Sequence, residues 1–118
     1  MFVRLIALFA LFATPALAQV TLFPAHDASG ATRTVRVYSS LDEPLARPMI
    51  EAFQLRNPTI AVAYEDLQTA DIYERIVRET DAGTPTADFA FSSSMDLQMK
   101  LANDGYAQPA RVPLSESW

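Results

Sequence analysis

The chain has 118 residues, a formal net charge of −5, one histidine and no cysteine. This length bounds it to one domain or part of one. The missing cysteine excludes disulfides, thiolate metal ligands, a cysteine nucleophile and a lipid-modified N-terminal cysteine, and the acidic balance argues against a general nucleic-acid binder.

Residues 1–18 have the pattern of a secretory signal. Arg4 precedes an uninterrupted apolar run, residues 5–13, which is too short to span roughly 30 Å of hydrocarbon as a membrane anchor would. Ala16-Leu17-Ala18 then offers small residues at both positions that a signal peptidase requires. We therefore predict cleavage after Ala18 and an exported, soluble mature chain.

The first ordered element is predicted to follow a flexible lead-in, residues 19–33. The lead-in shows no sustained hydrophobic period and contains the one histidine, His26, as a solvated loop residue. Alternation and β-branching then predict a strand over residues 34–38.

A helix is predicted after this strand. Ser40 and Glu43 have capping-box spacing, and Pro44 suits a first turn. Because Pro48 conflicts with a regular helix from Ser40, we expect a kink or a later start, and the helix ends at residues 57–58. Four apolar residues of this helix have the spacing of one helical face and are predicted to be its buried side. They are Leu45, Met49, Ala52 and Phe53.

Two further strand and helix pairs follow. The first pair comprises a strand over residues 60–65, a turn over 66–70 and a helix over 71–82. This helix has an apolar stripe on one side and a favourable Glu74–Arg78 ion pair on the other. The stripe consists of Ile72, Tyr73, Ile76 and Val77. Gly83 is the expected stop. A strand over 87–91 and a helix over 95–104, capped by Ser93 or Ser94, complete the pattern, and residues 109–118 are predicted to be extended.

The order β-α-β-α-β-α predicts an α/β fold, with a parallel sheet and helices on both faces. Ligands of such sheets bind beyond the carboxyl ends of the strands, where the strand order reverses. If the first predicted strand is central, the crevice lies between two serine-containing loops. The candidate ligand-binding residues are Ser39 and Ser40 in one loop, Ser92, Ser93 and Ser94 in the other, and Tyr38, which either lines the crevice or packs under it.

Both loops precede predicted helices, whose N-termini attract anions. The alternative for the serines is that they are only helix caps. Asp42 and Glu43 would repel an anion unless turned away, or would help to hold a cation, or would simply stabilise the helix N-terminus. Asp66 and Asp71 carry the same ambiguity.

Catalytic motifs are absent from the sequence, so we predict no enzyme, no cofactor and no metal ligands. The sequence has no G-x-S-x-G elbow, no glycine-rich phosphate loop with lysine and no G-x-G-x-x-G. A single histidine also excludes a multi-histidine metal site.

Residues 34–108 resemble the N-terminal part of bacterial extracytoplasmic solute-binding proteins of ABC importers. The matching stretches are VRVYSSLDEPLARPMIEAFQLRNPTIAVAYED and ADFAFSSSMDLQMKLANDGYAQ. The similarity is greatest to the branch of iron(III)-, phosphosugar- or phosphoglycerate-, and aminoethylphosphonate-type binding proteins. It implies a periplasmic-binding-protein type II-like fold, with two lobes that close on a solute.

On this resemblance, residues 34–108 are part of the N-terminal lobe, and residues 109–118 lead to a missing remainder. Iron-binding members often place a histidine where this chain has Asp42, so an anionic organic solute, phosphorylated or carboxylated, fits the serine loops better than iron(III). The implied function is a periplasmic solute-binding component that delivers its solute to an ABC transporter permease. The alternative is a component that presents the solute to a sensor kinase. A secreted hydrolase fragment is disfavoured by the missing motifs.

Overall fold

The structure, a computed structural model, describes residues 19–30 and 33–110. The predicted signal and residues 111–118 lie outside this range. The strands are β1 (Val20–Phe23), β2 (Arg33–Ser39), β3 (Ile60–Asp66) and β4 (Phe89–Phe91); the helices are α1 (Glu43–Arg56), α2 (Thr69–Asp81) and α3 (Met95–Asn103), with a short 3₁₀ turn at Ala28–Gly30.

The four strands form one mixed sheet in the order β1-β3-β2-β4. β2 is parallel to β3 on one side and to β4 on the other, as predicted. The register pairs Ser39 with Asp66 of β3 and with Phe91 of β4, so the carboxyl ends of the three parallel strands lie at one edge of the sheet.

The helices cover both faces because the two crossovers run in opposite directions. The chain passes from β2 to β3 through α1, and then back across β2 to β4 through α2. Since parallel crossovers are almost always right-handed, opposite directions place the two helices on opposite faces. The α/β fold with helices on both faces is therefore confirmed.

Each face has its own core. On one face, Ala46 and Ile50 of α1 pack on Val62 and Tyr64 of β3 and on Phe23 of β1. The other core holds Tyr38 of β2 together with residues of α2 and α3: Ile72, Ile76 and Leu101.

The prediction of a flexible lead-in over residues 19–33 is wrong, because this segment contains strand β1. Val20–Phe23 pairs antiparallel with β3, and Phe23 is buried against α1. Asp27 closes the following turn, because its Oδ1 accepts hydrogen bonds from the backbone N–H and the hydroxyl of Ser29. This segment is an edge strand and a turn.

The buried face of α1 also differs from the prediction. Ala46, Ile50 and Gln54 face the core, whereas the predicted set, Leu45, Met49, Ala52 and Phe53, is exposed. Gln54 Nε2 lies 3.0–3.2 Å from the carbonyl oxygens of Phe23, Pro24 and Ile60, so its amide ties α1 to the ends of two strands.

α1 also begins later than Ser40. Asp42 holds the N-cap position and makes no side-chain cap hydrogen bond, so the predicted capping box is not formed. Pro44 stands in the first turn, and Pro48 is accommodated inside the helix. The helix ends at Arg56, as the Asn57-Pro58 pair predicts.

α2 buries its predicted stripe, with Ile72 and Ile76 buried and Tyr73 and Val77 partly buried. It starts at Thr69, two residues before the predicted start, and Gly83 (φ 65°) follows its end as expected. The expected Glu74–Arg78 pair is replaced by a different set of contacts.

Arg75 forms those contacts. Its guanidinium pairs with Glu65 of β3 and with Glu79, and it lies 4.4 Å from the ring centroid of Tyr38. These hydrogen bonds raise the pKa of Arg75 although burial opposes its charge. Arg75 therefore fastens α2 to the two central strands.

α3 follows β4 from Met95 to Asn103 and packs through Leu101 against α2. Gly105 follows its end with a positive φ of 88°, a conformation that suits glycine and ends the helix. Among the described residues, no helix is both long and apolar enough to cross a membrane.

Candidate functional site

The carboxyl ends of β2, β3 and β4 carry three short loops to the N-termini of α1, α2 and α3. Two of these loops contain the predicted serines. We call the edge formed by residues 39–42 and 92–94 the serine edge. It lies at the point where the strand order reverses, as the sequence predicts.

The two serine loops are joined by hydrogen bonds. The Ser40 N–H donates to the carbonyl of Phe91 (3.1 Å), and the Ser93 N–H donates to Ser40 Oγ (3.2 Å). The structure thus brings together two segments that are more than fifty residues apart in the sequence.

The serine hydroxyls are not helix caps. Ser40 Oγ accepts across the two loops, and Ser92 Oγ accepts the N–H of Ser94 at 3.1 Å. Ser94 occupies the N-cap position of α3 without a side-chain cap hydrogen bond. Because these oxygens act as acceptors, the hydroxyl protons of Ser40 and Ser92 are left to donate elsewhere.

Three helix N-termini point to this edge of the sheet. The N-cap residues are Asp42, Gln68 and Ser94, and none of them caps its helix with a side-chain hydrogen bond. The first N–H groups of a helix have no intrahelical partner and carry a partial positive charge. In α3 the first intrahelical bond is donated by Gln98 to the Ser94 carbonyl, which leaves the N–H groups of residues 95–97 at the helix end.

Ser39 and Tyr38 belong to the interior rather than to the open edge. Ser39 is 1% exposed, and its Oγ accepts the N–H of Leu41 at 3.1 Å. Tyr38 is fully buried and donates its hydroxyl to Glu79 at 2.9 Å. Burial, and then this hydrogen bond, raise the pKa of Tyr38. Of the two alternatives for Tyr38, packing under the crevice is the one observed.

The residues that remain accessible are Ser40, Ser93 and Ser94. Ser93 is exposed, while Ser40 and Ser94 are partly buried. Ser92 is nearly buried, and its carbonyl accepts a hydrogen bond from the side chain of Gln98. The Gln98 amide thereby holds the second loop on the first turn of α3.

A second feature, an acidic pocket, lies beside the serine edge on the β1 side. It is open to solvent, has a volume of about 370 Å³ and is lined by five side chains: Gln19, Thr21, Glu43, Asp66 and Gln68. Gln19 and Thr21 were not predicted because β1 was not, and Gln68 lies in the turn that was predicted over residues 66–70. The Val-Thr-Leu-Phe run of β1 is the signal that marks this strand.

Carboxylates border the serine edge on its β3 side, and Asp42, the exposed N-cap residue of α1, belongs to the edge itself. Glu43 is paired with Arg47 at 2.6 Å. Asp66 ends β3, which is two strand spacings, roughly 10 Å, from β4. Burial raises the pKa of Tyr64, and nearby carboxylates, including that of Asp66, add to this rise. Within residues 19–30 and 33–110, no three His, Cys, Asp or Glu side chains form a group that could hold a metal ion.

Comparison with solved structures supports the general class that the resemblance names, and no comparison identifies a branch of it. Neither a family model nor a curated protein matches the chain. Among solved structures, the chain is similar to the substrate binding protein of the ABC transporter from Agrobacterium tumefaciens, with 64% sequence identity and a TM-score of 0.81 over 89% of this chain. The chain spans 31% of that protein. This similarity supports the class of solute-binding proteins and the observed α/β fold.

Proposed function

We propose that the chain is part of a periplasmic substrate-binding protein of an ABC importer, and that its serine edge holds an anionic small solute. The solute carries a phosphate or carboxylate group. The role is capture by binding, without catalysis, followed by delivery to a transporter. The similarity to the Agrobacterium protein supports the class, and the chemistry of the serine edge supports the kind of solute.

The observation that carries the proposal is the joined pair of serine loops at the N-terminus of α3. Ser40 Oγ is held by the Ser93 N–H, so the oxygen is fixed while its proton remains free to donate. The uncapped N–H groups of α3 lie beside it. Hydroxyl and backbone donors at a helix N-terminus bind anionic groups without bringing a formal charge.

The β4 side of the edge carries both donors and carboxylates. Asp66 is two strands away from β4, and Glu43 is paired with Arg47, but Asp42 at the start of α1 and Asp96 in the first turn of α3 would repel an anion unless their side chains are turned away from it. The N-terminus of α3 contributes a partial charge of about +0.5 close to the serines. An anion placed between Ser40 and Ser93 therefore meets donors, with the acidic pocket on its far side.

A test requires a protein with both lobes, because the chain spans less than a third of its solved relative. We suggest a chimera in which this chain replaces the matching part of the Agrobacterium protein. Thermal-shift screening with phosphonates, sugar phosphates, phosphoglycerate and small carboxylates would identify a solute, and calorimetry would measure its affinity. Iron(III) is included in the same screen because it is the alternative to an anionic solute.

The variant Ser40→Ala combined with Ser93→Ala then tests the site. A hydrogen bond to a charged group contributes about 1.5–3 kcal/mol, so loss of the Ser40 donor is expected to weaken binding by roughly tenfold or more. Ser29→Ala, a change at an exposed serine in the Ala28–Gly30 turn, is the matched control. Unchanged affinity in the double variant, or stabilisation by iron(III) alone, would contradict the proposal.

A further inference from the structure

One peptide group connects the two serine loops to helix α3. It is the group between Ser92 and Ser93, which we call the serine peptide, and both of its polar atoms are engaged. Its carbonyl accepts a hydrogen bond from Gln98 Nε2, and its N–H donates to Ser40 Oγ at 3.2 Å. The side chain of Gln98 and the hydroxyl of Ser40 therefore contact the two sides of one peptide plane.

The planarity of the serine peptide couples these two partners. A peptide group is planar, and no peptide bond in the described residues is cis, so its C=O and N–H point in opposite directions. Because Gln98 fixes the direction of the Ser92 carbonyl, it also fixes the direction of the Ser93 N–H. A serine peptide turned over by 180° would present its carbonyl oxygen, and not a donor, to the serine edge.

The contact made by the Gln98 side chain is not a helix cap. The backbone N–H of Gln98 makes an ordinary helical bond to the Ser94 carbonyl at 3.2 Å, while its side chain reaches back to Ser92, two residues before the N-cap. A glutamine in a capping box accepts a hydrogen bond from a backbone N–H, whereas Gln98 donates to a carbonyl. The groups that a helix N-terminus leaves without partners are N–H groups, so this contact serves the loop and not the helix.

The neighbouring hydrogen bonds hold the chain on either side of the serine peptide. The Ser40 N–H binds the Phe91 carbonyl before it, and the Ser94 N–H binds Ser92 Oγ after it. Neither bond involves the polar atoms of the serine peptide itself. Of its two partners, the Ser40 hydroxyl can rotate, whereas Gln98 is partly buried on α3. The orientation of the peptide is therefore set from the helix side.

We propose that Gln98 is a positioning residue of the serine edge. It orients the serine peptide so that the Ser93 N–H holds Ser40 Oγ, which leaves the Ser40 proton to an anionic group. Gln98 acts through the peptide and does not contact the solute. Donors that are ordered before binding give higher affinity, because less freedom is lost when the solute arrives. The effect on affinity rests on the proposed function, whereas the orientation of the peptide does not.

Amide hydrogen exchange tests the orientation directly. Gln98→Met removes the donor but keeps the length of the side chain and a good helix former. Gln108→Met makes the same change at an exposed position beyond α3 and is the matched control. Both variants are made in the chimera with the Agrobacterium protein and labelled with ¹⁵N-serine, so that NMR follows the N–H groups of Ser93 and Ser40 separately. The Ser40 N–H is the internal reference, because the Phe91 carbonyl holds it.

We expect the Ser93 N–H to exchange about fivefold faster in Gln98→Met than in the parent, with the Ser40 N–H and the Gln108→Met control almost unchanged. Unchanged exchange at Ser93 would overturn the proposal. Equal acceleration at Ser93 and Ser40 would also overturn it, because a general loosening of the loops, and not a reoriented peptide, would then be the effect. A lower Tm without selective exchange at Ser93 would assign Gln98 a purely structural role.

Calorimetric titration of the chimera with inorganic phosphate tests the consequence for binding. We expect Gln98→Met to weaken phosphate binding by about fivefold, and to weaken it no further when Ser40→Ala is already present, because the two changes act through one contact. Additive losses would contradict the route through Ser40. Absence of phosphate binding by the parent chimera would count against the proposed function, and the exchange of the Ser93 N–H would then decide the role of Gln98.

Discussion

Replacing Gln54 with leucine is expected to destabilise the chain although leucine is the more apolar residue. Gln54 is 2% exposed, and its amide is directed at three backbone carbonyls, those of Phe23, Pro24 and Ile60. The contact with the Phe23 carbonyl is buried, whereas the other two are partly buried. The amide is therefore the polar link between α1 and two strands.

The size of the effect follows from these contacts. An amide has two N–H groups, each contributing about 1 kcal/mol net, and a buried carbonyl left without a partner costs about 1–3 kcal/mol. The loss of about 2–4 kcal/mol is offset by roughly 1 kcal/mol from burying the more apolar leucine. The net loss of about 1–3 kcal/mol corresponds to a fall in Tm of roughly 5–20 °C for a domain of this size.

Thermal unfolding followed by circular dichroism measures this effect. Gln68→Leu, at an exposed glutamine, serves as control and is expected to change the stability by about 0.5 kcal/mol or less. Gln54→Glu tests whether the site requires a donor. A carboxylate that faces three carbonyls favours its protonated form, so the pKa of this glutamate is raised in the folded state and the variant should gain stability as pH falls from 7 to 4. A Gln54→Leu variant as stable as the parent chain would refute the reasoning.

Two further predictions concern charged groups. Arg75→Met leaves the carboxylate of Glu65, which is 5% exposed, without its guanidinium partner. Urea unfolding should show that the free energy of unfolding falls by about 2–4 kcal/mol, a value reduced because Arg75 is partly exposed. The control Arg78→Met, at an exposed position of the same helix, should leave the free energy of unfolding almost unchanged. The Arg36 N–H, at 2.9 Å, holds the pKa of Asp88 below its ordinary value. The stabilisation from Asp88 is therefore present above the unfolded pKa of about 3.9 and is lost as pH falls through the lower folded pKa. Asp88→Asn should accordingly flatten the fall of Tm between pH 7 and pH 3, and an unchanged acid profile would contradict the assignment.

The parallel strands β2, β3 and β4 were predictable from local patterns, whereas the central position of β2 entered the prediction only as a condition. Alternation marked β2, a short apolar run marked β3, and the crossovers between them allow few arrangements. β1 was not predictable in the same way. It has four residues, and its partner β3 lies some forty residues further along the chain, so its pairing is a long-range event.

The buried face of α1 was the principal error of the prediction, and the reason is physical. Leu45, Met49 and Phe53 form a more apolar row than Ala46, Ile50 and Gln54, which face the core. The two rows lie about 100° apart around the helix, so a hydrophobic pattern points to the more apolar one. The packing of Ala46 and Ile50 on β3 decides which row is buried.

The proximity of the two serine loops was predictable, whereas ligand binding by them stays a prediction. Strand order alone places residues 39–40 and 92–94 at one edge, and the structure joins them. Whether a serine caps a helix or orients a loop depends on backbone geometry, which the residue type does not specify. For this reason the capping box at Ser40 was wrong, and Ser39 and Tyr38 proved to be interior residues.

The most direct test of the serine edge is a crystal structure of the chimera with its anionic solute bound. We expect a phosphate or carboxylate oxygen within about 3.2 Å of Ser40 Oγ and of an N–H group at the start of α3. Lower occupancy or a displaced anionic group is expected in the variant with alanine at positions 40 and 93. An anionic group held entirely by other residues, with the serine edge occupied only by water, would contradict the account.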